Sequence, residues 1–280
     1  MKIDFIDDAN LMKLLYVHHF VRSSRNVTRD ILSYSLFYGP RIAAVGRIYS
    51  KFIFNQDAFA DTFLTLLGSK ESARAKEIVG ELDQLDDGLL GDSWADRRRD
   101  VNAKITEGIR LYEDRMRLWV GRVFGFDLPG SVLVIADTND DIHGNQSGSY
   151  VAEHGGIPVV GFLGPSANTT AQDIVDAMLH ELLHAAVRQN RGIIPDLALC
   201  YEEALMDYFC PSGILSCKIG LTDRYDIADD HRMKMAGRPD SAGESAYLYG
   251  SVERYIRMLQ ADEEVPTIWG FLEQERKRLA

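Results

Sequence analysis

The most constraining feature of this sequence is a long apolar segment that ends near Gln189 and contains His180-Glu181-Leu182-Leu183-His184. A helix that is apolar nearly all round is buried in the core of a protein. Burying two imidazoles and a carboxylate in such a helix is costly unless something pairs them. The sequence therefore predicts a buried helix whose polar groups share a partner, and a metal ion can pair all three. The apolar positions are Ile174, Val175, Met178, Leu179, Leu182, Leu183, Ala186 and Val187.

Charge and cysteine usage exclude several classes of function. The chain of 280 residues has a formal net charge of -11, which argues against nucleic-acid binding because phosphate contacts need a basic surface. The same charge argues against an anionic membrane surface. We find neither a secretory signal nor an apolar stretch of membrane-spanning length. Three cysteines without a Cys-x-x-Cys pair favour a reducing cytoplasm, although Cys210 and Cys217 could still form a disulfide.

Periodicity predicts a helical N-terminal region over residues 1–90, followed by a separate domain over residues 91–280. Apolar spacing indicates helices at Leu11–Val21, Gln56–Leu67 and Ser72–Leu82. The polar, glycine-bearing stretch Asp86–Asp92 is the candidate boundary. A long helix is expected from Trp94 to Val123, where apolar residues recur at helical spacing.

The central part of the sequence predicts a small mixed sheet and so an α+β fold. Ser131–Ala136 and Ile157–Phe162 are short and apolar with flanking turn residues, as is typical of strands. Pro158 favours an edge position for the second strand, because proline has no N–H to donate. Thr169 and Gln172 form a candidate capping box for the His180 helix. Further helices are expected at residues 195–211, 241–259 and 268–279.

The spacing of the two histidines predicts a zinc site. Residues four apart lie on one face of a helix, so His180 and His184 can direct two imidazoles at one ion. Glu181, beside them, can act as the base that takes a proton from an attacking water. A catalytic zinc ion usually has three protein ligands and an open position.

The third ligand is expected from the acidic segment that follows. We favour Glu203 over Glu202, because Asp207 lies one turn beyond Glu203 on the same face. Asp207 could then accept a hydrogen bond from a ligand histidine and fix the orientation of its ring. The partner of Glu202 at that spacing is Met206, which cannot serve in this way.

His180-Glu-Leu-Leu-His184 followed by Glu203-Ala-Leu-Met-Asp207 resembles the gluzincin branch of the zincin metallopeptidases. The resemblance implies a zincin-like fold, a Zn²⁺ cofactor and a peptide or protein substrate. It also implies that strand Ile157–Phe162 is the edge strand that binds extended substrate. Tyr247-Leu-Tyr-Gly250 is similar to the segment whose tyrosine stabilises the oxyanion in zinc aminopeptidases, which points to Tyr247, with Tyr249 as the alternative.

Two departures and two rival interpretations accompany the resemblance. The sequence lacks the Gly-x-Met-Glu-Asn motif that captures a free amine in aminopeptidases, and the chain is shorter than most members. A zincin fold can also retain its metal as a non-catalytic binding or regulatory module. A structural zinc site is a third interpretation, in which His154 or His231 would supply a fourth ligand. The sequence leaves the substrate and the oligomeric state open.

Overall fold

The computed structural model describes residues 1–25, 43–68, 70–85, 94–137, 147–163, 169–223, 225 and 244–279. These residues form many helices and one four-stranded mixed sheet, which confirms the expected α+β class. By contact they separate into two compact units. One unit contains the sheet (residues 2–106 and 131–169), and the other is helical (residue 1, residues 107–130 and 170–280).

The sheet contains two strands that the sequence did not reveal. Its strands are β1 (Lys2–Phe5), β2 (Ser131–Asp137), β3 (Ser147–His154) and β4 (Ile157–Leu163), in the spatial order β1-β2-β4-β3. β1 and β4 both run parallel to β2, and β3 runs antiparallel to β4.

The predicted edge position of Ile157–Phe162 is wrong, because β4 is an interior strand between β2 and β3. Pro158 is tolerated there because it lies at the end of the strand. Pairing with β2 starts one residue later, at Val159, which is opposite Leu133. The missing N–H of Pro158 therefore interrupts no bond of the central ladder.

Four helices and the first part of a fifth belong to the same unit as the sheet. They are α1 (Ala9–Arg25), α2 (residues 43–52), α3 (Gln56–Gly68), α4 (Ala73–Leu82) and α5 (Trp94–Phe124). Buried apolar side chains of α1 to α4 form one core with Ile135 of β2 and Val159 of β4. The helices α1, α3 and α4 confirm the predicted segments.

The predicted division at residue 90 differs from the one in the structure. β1 lies near the N-terminus yet pairs with β2, with Lys2 opposite Ser131. The sheet thereby joins the N-terminal residues to residues 131–163 in one unit, so the N-terminal region is not purely helical. The proposed boundary at Asp86–Asp92 lies outside the described residues.

The described part of the helical unit continues α5 and adds six more helices. These are α6 (Ala171–Gln189), α7 (Asp196–Cys200), α8 (Glu202–Met206), α9 (Ile214–Ile219), α10 (Glu244–Gln260) and α11 (Ile268–Leu279). The segment predicted as one helix over residues 195–211 is two short helices, because Tyr201 leaves the helical conformation between them. Nearly every residue of α6 from Ile174 to Val187 is buried, including the two histidines.

The N-terminus of α6 has a capping box one residue later than predicted. The hydroxyl of Thr170 accepts from the Asp173 backbone N–H at 3.1 Å, and the Asp173 carboxylate accepts from the Thr170 N–H at 2.9 Å. A carboxylate serves this position better than the predicted Gln172, because it also favours the positive end of the helix dipole. The Gln172 amide instead donates to the Tyr112 hydroxyl at 2.9 Å.

α5 and α6 approach each other closely at Gly108. A Cβ atom at this position would lie 2.3 Å from Cγ2 of Val175 and 3.1 Å from the Ala171 carbonyl oxygen. We expect Gly108→Ala to lower the free energy of unfolding by about 1–3 kcal/mol, because overpacking displaces α6. Chemical denaturation measures this change in the free energy of unfolding.

Gly121→Ala on the same helix is the control, since a Cβ there meets nothing within 4 Å. It should instead stabilise the protein by roughly 0.5–1 kcal/mol. Equal effects at both positions would contradict the packing argument.

All three cysteines are free, so Cys210 and Cys217 do not form a disulfide. Within the described residues, no helix combines the length and apolar character that crossing a bilayer requires.

Candidate metal centre

α6 brings His180 and His184 onto one face, as their spacing predicts. Their Nε2 atoms lie 3.0 Å apart, and the two rings meet edge to face with centroids 4.7 Å apart. Both residues are buried, at 7% and 8% exposure. Two buried imidazole nitrogens at this separation need an ion or a proton between them, because two neutral lone pairs facing each other repel.

Glu203 completes a group of three possible ligands. Its carboxylate oxygens lie 3.6 Å from Nε2 of His180 and 3.2 Å from Nε2 of His184. One ligand atom from each residue lies within 4.8 Å of the others, so the cluster could hold a metal ion. The Glu203 side chain is otherwise 64% exposed, which leaves solvent access on its side of the cluster.

The other nitrogen of each ring has a hydrogen-bond partner that fixes the ring. Nδ1 of His180 is 2.7 Å from the Cys210 carbonyl oxygen, to which it can only donate. Nδ1 of His184 is 2.6 Å from a carboxylate oxygen of Glu202. Each Nδ1 therefore carries the proton, and each Nε2 presents its lone pair to the cluster. This tautomer is the one that a metal ligand needs.

The orienting partner of His184 is Glu202, not Asp207 as the sequence suggested. The sequence predicted one continuous helix over residues 195–211, with Asp207 on the same face as Glu203. Because Tyr201 interrupts the helix, Glu202 and Glu203 both lie in the first turn of α8. From there the two carboxylates reach opposite nitrogens of the same ring.

Glu181, on the same helix as the two candidate ligand histidines, is buried, at 8% exposure. Its negative charge favours the charged forms of both His180 and His184. The structure therefore places all three residues of the motif together in the helical unit, as the sequence predicted.

Without a metal, the cluster holds protons instead. Burial opposes charge on His184, but the hydrogen bonds to Glu202 and Glu203 outweigh it and raise its pKa to about 10. Burial also opposes charge on His180, but the contact with Glu203, the charge of Glu181 and the bond to the Cys210 carbonyl together outweigh it and raise its pKa. Hydrogen bonds from both histidines hold the pKa of Glu203 well below its usual range. A metal ion must therefore displace at least one proton to bind.

The two tyrosines proposed for oxyanion stabilisation have different surroundings. The Tyr247 hydroxyl donates to the Leu272 carbonyl at 2.8 Å, which ties α10 to α11. The ring of Tyr249 instead contacts Tyr201 edge-on, with centroids 6.2 Å apart. Tyr201 directly precedes Glu202, so Tyr249 packs against the segment that supplies the carboxylates. Of the two alternatives, Tyr249 is thus the one with a contact beside the cluster.

The cluster has three members among the residues that the structure describes. His154, one suggested fourth ligand, is not a member of it, and His231 lies outside the described residues. Three protein ligands of the type His, His and Glu are the set found in catalytic zinc sites.

A cleft of about 530 Å³ lies in the same unit. Its walls include residues 192–196, the connector between α6 and α7, together with Phe124 and Trp269. The connector follows the helix of His184 and precedes the helices that lead to Glu203. Ile193 in this wall is 60% exposed, but Asp196, Glu273 and Arg276 also line the cleft, and none of the three cluster residues does.

No protein-family model, curated protein or solved structure matches this chain. The resemblance to gluzincins therefore depends on the sequence motif alone.

The contact between Glu202 and His184 predicts a measurable effect on metal binding. Glu202→Gln should weaken metal affinity by about 10–100-fold, because a neutral amide oxygen accepts from the Nδ1–H of His184 less strongly than a carboxylate does. Asp207→Asn is the matched control, since Asp207 is the neighbouring acid that contacts neither histidine nitrogen in the hydrogen bonds above. Competition with a chelating dye measures both affinities. A larger loss with Asp207→Asn than with Glu202→Gln would refute the assignment.

The raised pKa of His184 predicts how the stability of the metal-free protein depends on pH. A raised pKa contributes stability that is fully present below the ordinary value of 6.5 and is lost as pH rises through about 10. A tenfold gain in proton affinity on folding corresponds to about 1.4 kcal/mol. The melting temperature of the metal-free protein should therefore fall between these two pH values. The zinc-loaded protein should show a flatter profile there. If the melting temperature depended on pH in the same way with and without zinc, the prediction that the metal-free cluster holds a proton would be wrong.

Proposed function

We propose that this chain is a zinc-dependent metallopeptidase. The observation that carries the proposal is the convergence of three donors, Nε2 of His180, Nε2 of His184 and the Glu203 carboxylate, with the buried Glu181 on the same helix as the two histidines. The donor set fits zinc, because imidazole and carboxylate ligands in this combination bind it in hydrolytic enzymes. When bound, zinc would polarise the scissile carbonyl and lower the pKa of an attacking water.

The residues of the chain have distinct roles in the proposed reaction. His180, His184 and Glu203 bind the ion, while the Cys210 carbonyl and Glu202 hold the two rings in the required tautomer. Glu181 takes a proton from water on one carboxylate oxygen and later gives it to the leaving amine. A tyrosine hydroxyl would donate to the developing oxyanion. Tyr247 and Tyr249 are the two candidates for this role.

The proposed substrate is a peptide or protein chain. The resemblance of the His180–His184 motif to gluzincins implies this substrate class. The proposal covers internal and terminal cleavage alike.

The proposal is tested by incubating the zinc-loaded protein with a diverse peptide library and analysing products by mass spectrometry. We expect cleavage of peptide bonds that stops on chelation and returns when zinc is added back. A protein that binds zinc stoichiometrically yet cleaves nothing in the library would refute peptidase activity and favour the non-catalytic binding module.

A further inference from the structure

A second buried carboxylate lies on the same face of α6, one turn before the first ligand histidine. Asp176 is 5% exposed and precedes His180 by four residues. Its two oxygens accept hydrogen bonds from the loop that leads into α9 and from the start of that helix. One bond comes from the Ser212 backbone N–H at 2.7 Å, and the other comes from the Ser216 hydroxyl. Two donors satisfy the carboxylate, as a buried charge requires.

The loop that Asp176 holds is the loop that orients His180. The Cys210 carbonyl, which accepts from Nδ1 of His180 at 2.7 Å, lies only two residues before Ser212. α6 therefore contacts this loop on two successive turns, first through Asp176 and then through His180. Any shift of Ser212 also moves the carbonyl at Cys210.

The backbone of this loop is strained and tightly packed where Asp176 binds it. Ser212 has a φ of 59°, in the left-handed region that residues other than glycine rarely adopt. A Cβ at the next residue, Gly213, would lie 2.4–2.5 Å from backbone atoms of Tyr208 and Phe209. An unfavourable conformation of this kind persists only when surrounding contacts impose it. The bond from the Ser212 N–H to Asp176 is one such contact.

We propose that Asp176 is a positioning residue of the metal site, acting through Ser212 and Ser216 on the Cys210 carbonyl and so on His180. This inference rests on the proposed metal site. Asp176 touches neither the ion nor the substrate in this account. It keeps the carbonyl where the Nδ1 proton of His180 needs it, so that Nε2 faces His184 and Glu203.

The test combines metal affinity with a measurement on the metal-free protein. Asp176→Asn removes one acceptor, and Ser216→Ala removes one donor while leaving the carboxylate in place. Both variants should bind Co²⁺ about 10-fold more weakly in a dye competition. In the metal-free protein, the Nδ1 proton of His180, followed by NMR, should exchange faster with water. Ser216→Thr keeps the hydroxyl and should restore both properties.

The control is a variant that loses a comparable buried hydrogen bond away from this loop. The Thr62 hydroxyl donates to the Phe52 carbonyl at 2.7 Å in the other unit. Thr62→Val should therefore lower stability without changing Co²⁺ affinity or the exchange of the His180 proton. If Asp176→Asn does not fold, Ser216→Ala decides. Unchanged affinity and unchanged proton exchange in Ser216→Ala, or equal effects in Thr62→Val, would overturn the proposal.

Failure of this inference can be distinguished from failure of the proposed function. A wild-type protein that takes up no Co²⁺ or Zn²⁺ would remove the metallopeptidase. The proton exchange of His180 in the metal-free protein would still decide whether Asp176 positions the ring.

Discussion

Glu181→Gln should abolish peptide hydrolysis while leaving the metal in place. The amide has the same shape as the carboxylate but cannot take a proton from water. General-base catalysis contributes about 10²–10⁴-fold to a rate, so we expect kcat to fall by at least about 100-fold. Zinc affinity should change little, because the three proposed ligands are His180, His184 and Glu203.

The measurement is kcat together with zinc content on the same sample. Glu107→Gln, which replaces an exposed glutamate of α5, controls for the loss of one negative charge. It should retain wild-type turnover. Substantial hydrolysis by Glu181→Gln would refute the role of Glu181 as the base. Simultaneous loss of zinc would show that this carboxylate is needed for binding rather than for proton transfer.

Glu203→Ala should lower zinc affinity by more than about 100-fold, exceeding the loss expected from an orienting residue. The variant removes the only carboxylate in the three-membered cluster of described residues. Its side chain is 64% exposed, so the truncation creates no cavity in the core. Isothermal titration of the metal-free protein with zinc measures the effect, and circular dichroism verifies the fold.

The comparison of Glu203→Ala with Glu202→Gln separates two adjacent acids that differ in which nitrogen they face. Glu203 lies near both Nε2 atoms, whereas Glu202 contacts Nδ1 of His184. The larger loss should therefore belong to Glu203. If Glu202→Gln caused the greater loss, the ligand and the orienting residue would have to be exchanged.

The helices were predictable because their signals are local. The apolar spacing within α5 and the residues that flank α6 predict these helices without reference to the rest of the chain. Both helices end within one residue of the expected position. The strand β1 had no such signal. Lys2–Phe5 is short and half polar, and it becomes a strand by pairing with β2, which is far away in sequence. β3 was missed for the same reason, because it forms by pairing with β4. That pairing also makes β4, the strand that contains Pro158, an interior strand.

The part of the candidate site that was predictable from the sequence is the part that depends only on the periodicity of one helix. Four-residue spacing was enough to bring His180 and His184 together. The orienting contacts depend on tertiary structure, since Cys210 and Glu202 reach the rings from outside α6. The break at Tyr201 altered which face of α8 each acid occupies, and no propensity of a single residue signals that break. Tyr247 was proposed as the oxyanion donor by analogy with a short motif. In the structure its hydroxyl donates to the Leu272 carbonyl.

X-ray absorption at the zinc edge, combined with elemental analysis, shows whether His180, His184 and Glu203 bind zinc. We predict one zinc ion per chain, bound by two imidazole nitrogens and carboxylate oxygen, with one imidazole lost from the spectrum in His180→Ala or His184→Ala. A protein that takes up no zinc, or one whose zinc spectrum is unchanged in both histidine variants, would contradict the account.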